Sequence, residues 1–156
     1  MLIRQATLDD LSAICEFVDY WLAGRGYREK APGAVKDCFI PPGQHRRYIQ
    51  RYTTLLVIID GKVVGWSVKH FNGSLLHLLI AGTHRGRGLG SMLLSAANAP
   101  IVRCKSNQST GDPGPFYVKH GYVKVGETAS RRRIDIDRIQ PERPKIIHIY
   151  ERQDNS

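Results

Sequence analysis

The run "THRGRGLGSMLL", residues 83–94, gathers His84, Arg85, Gly86, Arg87, Gly88, Leu89, Gly90 and Ser91, then turns apolar. These residue types can grip an anion. Glycine tolerates positive φ and lets backbone N–H groups approach a ligand closely. If a helix starts here, its first N–H groups have no internal acceptor, and the helix dipole adds partial positive charge. A phosphate fits such a place, and Arg85 and Arg87 add charge and donor groups. The residues therefore predict a loop that cradles a pyrophosphate. The bland alternative is a tight strand-to-helix turn with no ligand. The Gly-Lys-Ser/Thr ending of a nucleotide-hydrolase phosphate loop is absent. The dinucleotide fingerprint needs its third glycine where Ser91 stands, and it belongs in a first strand-helix unit rather than mid-chain.

The elements that must position this loop are legible around it. "LIRQA" reads as a first strand. Thr7 can cap a helix, with Asp10 completing an approximate capping box. Leu11, Ile14, Cys15, Val18, Trp21 and Leu22 then recur at helical spacing up to Gly24. Residues 24–43 are rich in Gly, Pro and charge and read as a long surface connection, and "QHRRYIQRY" as a short basic helix. Asp60-Gly61 between two apolar runs predicts a hairpin, and Asn72-Gly73 predicts a second one leading into "SLLHLLIAG". That last run is apolar on both faces, as a central strand should be. "GSMLLSAANA" predicts a helix stopped before Pro100, and "IVRCKS" a strand. Strand, helix and strand in this order form a crossover, so the two strands should be parallel. In "GDPGPFYVKHGY" Asp112 can cap, Pro113 can open a short helix and Gly121 can close it. "YVKVGETAS" and "PKIIHIYE" read as closing strands around an Arg-rich excursion. The pattern is a mixed α/β sheet, not an all-parallel one.

The chain has 156 residues, which suits one domain over 1–156, and 42% of them are hydrophobic, enough for a core without metals or staples. A formal charge of +9 favours acidic partners, and it also simply aids solubility. Cys15, Cys38 and Cys104 form neither metal-ligand spacing nor an even disulfide set, so a reducing, cytoplasmic location is expected and no metal is. No signal-peptide pattern opens the chain, and no apolar run approaches the roughly 18 residues that span a bilayer.

Arg85-x-x-Gly88-x-Gly90, with the ordered hairpins before it and "FYVKHGY" after it, resembles the GNAT superfamily of acyl-CoA N-acyltransferases. "IRQATLDDLSAI" is similar to the family's opening strand and helix. The resemblance covers nearly the whole chain and is weakest over residues 24–50 and 123–145. It implies a mostly antiparallel α+β sheet of about seven strands, flanked by helices, with one parallel crossover. It also implies acetyl-CoA, or another acyl-CoA, as cofactor, with its pyrophosphate on the amides of Arg85 to Gly90 and Ser91 close by. The thioester would lie along Leu78, Leu79 and Ile80, whose backbone would pair with the pantetheine arm and polarise the acyl carbonyl. The reaction implied is direct attack of a primary amine on the thioester.

Two proton tasks follow. Tyr117 matches the family tyrosine near the sulfur, and a phenol can pass a proton to the departing thiolate. The alternative is a buried aromatic anchor. For deprotonating the amine, the strand position where many members carry Glu is Ser74 here, which is no base. His77 and His70 lie nearby, and an imidazole titrates near neutrality. His77 is the candidate, although alternation turns it away from Leu78 and Ile80. A structural role for each histidine, or a water chain as base, remains open. His84 and His120 have weaker cases, and His84 can assist with phosphates. Gly82 stands where the family often has Pro, and Thr110 where it often has Asn, with Asn107 further away.

The acceptor groove of such a fold would draw on Tyr20, Trp21, Arg25, Tyr27, Arg28, Arg46, Arg47 and Arg131 to Arg133. This mixture suits an anionic or nucleic-acid-linked amine, and it equally describes a solvated basic face. The readings carried forward are acyl transfer to a small-molecule or protein amine, the same chemistry on a nucleic-acid amine such as a modified base or aminoacyl-tRNA, and a non-catalytic module that binds CoA or nucleic acid. No membrane partner is expected, and a homodimer is compatible.

Overall fold

In a computed structural model, which describes residues 1–23, 40–105, 112–129 and 146–153, seven strands form one sheet. They are β1 (Leu2–Gln5), β2 (Thr53–Ile59), β3 (Lys62–Lys69), β4 (Ser74–Ile80), β5 (Ile101–Cys104), β6 (Tyr122–Ala129) and β7 (Ile146–Arg152). Their order across the sheet is β1-β2-β3-β4-β5-β7-β6, and the pairing is antiparallel except between β4 and β5. The helices are α1 (Leu11–Val18), α2 (Pro42–Arg51), α3 (Leu89–Ala97) and α4 (Gly114–Lys119). This is the mixed sheet with one parallel crossover that the sequence predicts.

Local chemistry explains the boundaries. The Thr7 N–H donates to the Asp10 carboxylate at 2.8 Å, and Arg4 grips the same carboxylate through two bonds of 2.8 Å. That clamp holds the single 3₁₀ turn (Leu8–Asp10) from which α1 starts. α1 then widens into a π turn over Asp19–Ala23, and Gly24, its expected stop, lies outside the described residues. α2 begins at Pro42, earlier than its basic run suggests, because a proline suits the first helical position. Asp60 and Gly61 both take positive φ (51° and 73°), as a tight hairpin requires.

The central strands bury both faces. Trp66 on β3 stands opposite Leu56 on β2 and Leu79 on β4, and Val68 stands opposite His77. This face lies under α1 and α2; the His45 and Trp66 rings meet at 5.7 Å. The other face, with Val57, Leu78 and Ile80, lies under α3, where Gly90 comes close to Ile80. A second cluster, with Leu75, Leu94, Val102, Tyr117, Tyr122 and Tyr150, ties α3 and α4 to β5, β6 and β7.

One feature of the sheet matters most for function. β4 pairs with β5 only through Ser74–Ile101 and Leu75–Val102. β5 stays with β7 along its length. Beyond Leu75 the two halves of the sheet part, and among the described residues the rest of β4 keeps β3 as its one strand neighbour.

Candidate active site

The split exposes a strand edge. The Ala81 N–H donates to the Val64 carbonyl at 2.8 Å. Antiparallel pairing alternates, so Leu79 and His77 turn their backbone groups toward β3. Leu78 and Ile80 turn theirs into the split. Of the three strand residues expected to face a thioester, Leu78 and Ile80 thus offer backbone, whereas buried Leu79 offers only wall.

A cavity of about 1140 Å³ fills the split. Its wall takes Leu76 to Ile80 from β4, His84, Arg85, Gly86, Gly88, Leu89, Gly90 and Ser91 from the loop and α3, and Phe116, Tyr117 and His120 from α4. It also includes Tyr48 of α2, which packs on the opposite face of the sheet from α3. The cavity therefore opens toward both faces through the gap between β4 and β5.

Each glycine of the loop has its own reason. Gly86 and Gly88 take positive φ (79° and 78°), and at both the place of a Cβ is open space. Gly90 lies within α3, where a Cβ would stand 3.4 Å from the Phe116 ring. The first helical bond of α3 runs from Met92 N–H to Gly88 O at 3.1 Å. The N–H groups of Leu89, Gly90 and Ser91 thus precede any intrahelical acceptor, at the positive end of the helix. Of the two arginines, Arg85 lines the cavity. The Arg85 Nε donates back to the Ile80 carbonyl at 3.4 Å, and exposed Arg87 is outside the cavity wall. The unbonded amides at the helix start and the Arg85 side chain both border the cavity.

Tyr117 is 4% exposed and lines the cavity from α4. Burial raises its phenol far above the ordinary value, with smaller contributions from Cys104 and Tyr122. The hydroxyl is therefore held protonated. Cys104 shares the wall, and its thiol is pushed up to about 11, chiefly by burial and then by Asp112.

His77 lies on the α2 side of β4. Its ring stacks on Trp66 at 4.9 Å, and its Nε2 lies 3.2 Å from the Tyr48 hydroxyl. His77 is thus turned away from α3, as alternation predicts, yet still reaches the cavity through the split. His70 does not line it: its Nδ1 accepts the Asn72 N–H at 3.1 Å in the second hairpin turn. His84 lies in the wall, with Thr83 Oγ1 2.9 Å from its Nδ1. His120 reaches Ser91, with Nε2 and Oγ 2.7 Å apart.

Gly82 has a local cause. A Cβ there would stand 2.7 Å from Cζ3 of Trp21, so the indole of the π turn lies directly on the strand end. Tyr20 and Trp21 contact each other edge-on at 4.8 Å, and Arg46 and Arg47 are exposed on α2. Cys38, Arg25, Tyr27, Arg28, Asn107, Thr110 and Arg131 to Arg133 lie outside the described residues.

Tyr48 and the pairing of Ser91 with His120 escape sequence reasoning. Both contacts join residues twenty-nine positions apart on different elements. The one sequence hint is that Tyr48 falls on the apolar stripe of a basic helix with buried His45 and Ile49. Among the described residues no group of three or more His, Cys, Asp or Glu side chains gathers as metal donors, and no helix is long and apolar enough to cross a membrane.

Comparison with known proteins agrees with this architecture. The profile of the Acetyltransferase (GNAT) domain matches residues 50–124, which run from the end of α2 into β6. No curated protein matches the chain by sequence. Among solved structures, a GCN5-related N-acetyltransferase from Rhodopseudomonas palustris superposes with a TM-score of 0.64 at 16% identity, over 98% of this chain and 95% of that one. Ribosomal-protein-alanine N-acetyltransferase from Brucella melitensis superposes at 0.63 and 16% identity, over 97% and 99%. A GNAT-family acetyltransferase from Bacillus cereus gives 0.61 at 19% identity, over 98% of both chains. These likenesses establish a shared fold, and the profile lies over the strands, loop and helices that build the cavity. Residues 50–124 thus match the acetyltransferase (GNAT) domain, and the chain shares the fold of GNAT-family structures.

Proposed function

We propose that the protein transfers an acyl group, acetyl from acetyl-CoA, to a primary amine by direct attack on the thioester. The observation that carries this reading is the gap between β4 and β5, with an open backbone edge on one wall and a helix N-terminus beside it. The site fits the cofactor's shape and charge: at Gly86 and Gly88 nothing stands within 4 Å of a Cβ position, so the cradle is clear for an anion. A bound acyl-CoA supplies an activated carbonyl and a thiolate leaving group.

The chain's own residues do the rest. The N–H groups of Leu89, Gly90 and Ser91, with the left-handed turns at Gly86 and Gly88, bind the diphosphate. The backbone of Leu78 and Ile80 orients the pantetheine arm and polarises the acyl oxygen. Tyr117 holds a proton in reach of the sulfur, and its burial keeps that proton on the phenol until it is needed. On the opposite face, His77 with Tyr48 takes the proton of the incoming amine. This division puts the cofactor and the acceptor on opposite sides of the gap, so each enters without crossing the other.

The acceptor we favour is an amine borne by an anionic molecule. Helix α2 displays exposed Arg46, Arg47 and Arg51 and has no acidic residue from Pro42 to Arg51. A thiol-release assay with acetyl-CoA and a panel of amines tests the proposal. Amine-dependent release of free CoA supports it. Tight acetyl-CoA binding without release for any amine would make the protein a binding module instead.

A further inference from the structure

The Ser91–His120 pair has a polarity that its neighbours fix. His120 Nδ1 lies 2.8 Å from the Phe116 carbonyl oxygen. A carbonyl oxygen only accepts, so Nδ1 carries a hydrogen. In the neutral ring Nε2 is then bare, and it accepts the Ser91 hydroxyl hydrogen across 2.7 Å. The ring cannot easily turn away from this arrangement, because the Phe116 ring packs on it at 4.5 Å and Gly90 lets that phenyl sit close.

Ser91 stands third in α3, on the cavity wall, beside the free amides of the helix start. With its hydrogen committed to His120, its oxygen presents only lone pairs to the cavity. Lone pairs repel the oxygens of an anion. Proton uptake by His120 reverses the pair. Nε2–H then donates to Oγ, and the hydroxyl hydrogen is released to point into the cavity.

We propose that Ser91 and His120 form a proton-operated contact for the diphosphate of acyl-CoA: when His120 takes a proton from solvent, the seat gains one hydrogen-bond donor and one positive charge. The proposal rests on reading the loop as the diphosphate seat. The other titratable groups on the wall are Tyr48 of α2 and His77 of β4, His84 and Arg85 of the loop, Arg103, Cys104 and Lys105 at β5, and Asp112, Tyr117 and Lys119 at α4. A diphosphate in the cavity favours one more positive charge beside it. Proton binding and diphosphate binding therefore reinforce each other, and the coupling is reciprocal. Ser91 and His120 act here as positioning residues whose effect falls on cofactor affinity, not on the bond-making step.

The test is calorimetric titration of acetyl-CoA into the full chain between pH 5.5 and 8, in pairs of buffers with different ionisation enthalpies. A phosphate monoester on the ligand itself titrates near 6, so proteins are compared with the same ligand. The wild type takes up more protons on binding than His120→Gln or Ser91→Ala. Its affinity falls by about tenfold more than theirs as the pH rises, the worth of one charge-assisted hydrogen bond. His70→Gln, outside the cavity, keeps the wild-type uptake. Equal proton uptake in wild type and His120→Gln overturns the proposal while leaving the seat intact, and so does loss of uptake in His70→Gln alone. Absence of acetyl-CoA binding to the wild type at every pH overturns the seat as well.

Discussion

The Tyr48 hydroxyl and His77 Nε2 stand 3.2 Å apart on the face of the sheet away from the glycine loop. One residue comes from a helix and the other from the strand that borders the gap, and Trp66 stacks beneath the imidazole at 4.9 Å. In the proposed reaction this pair is the base on the acceptor side, with a hydroxyl to orient it. His77→Gln is expected to lower kcat by about a hundredfold at neutral pH, within the range for a general base. It should also flatten the acid limb of the pH–rate profile, with acetyl-CoA affinity unchanged. Tyr48→Phe should cost about tenfold and keep the limb. Steady-state kinetics over pH with calorimetric affinities check both.

In the proposed reaction Tyr117 serves the leaving group. Because burial raises its phenol, the hydroxyl stays protonated through the neutral range and contributes no alkaline limb there. Tyr117→Phe keeps the ring and removes the proton. It is expected to reduce kcat by about a hundredfold with little change in acetyl-CoA affinity. An unchanged rate would reduce Tyr117 to an anchor for α4.

Gly88 joins the loop to α3 at φ 78°, with open space where a side chain would begin. Gly88→Ala strains the backbone by about 1–2 kcal/mol and should weaken acetyl-CoA binding about tenfold. Gly88→Glu adds a carboxylate at the anion seat and should abolish binding. Calorimetry reads both, with circular dichroism to verify the fold.

His45 predicts a pH dependence of stability. It is 1% exposed on the buried face of α2, its Nδ1 has no hydrogen-bond partner among the described residues, and burial lowers its pKa from 6.5 to about 4. The folded state therefore resists protonating it, while the unfolded chain does not. Its contribution is fully present above pH 6.5 and is lost as the pH falls toward about 4. Urea midpoints at pH 7.5 and 4.5 should fall further for the wild type than for His45→Leu.

Much of this architecture is readable from local signals. Asp60-Gly61 and Asn72-Gly73 mark the hairpins because tight turns need particular residues. The Thr7–Asp10 box marks the first helix, and the three glycines mark the strand-to-helix bend. What stays hidden depends on contacts between distant elements. No periodicity reports that β4 and β5 pair for only two residues and then part. Nor does spacing show that Arg85 turns back to Ile80, that Trp21 covers Gly82, or that His77 meets Tyr48.

The most direct test is a crystal structure of the protein with acetyl-CoA. The expected result is the diphosphate on the amides of Leu89 to Ser91 and the thioester in the gap beside Leu78 and Ile80, with Tyr117 near the sulfur. A cofactor lodged elsewhere, or a gap closed by side chains from β5, would contradict the account.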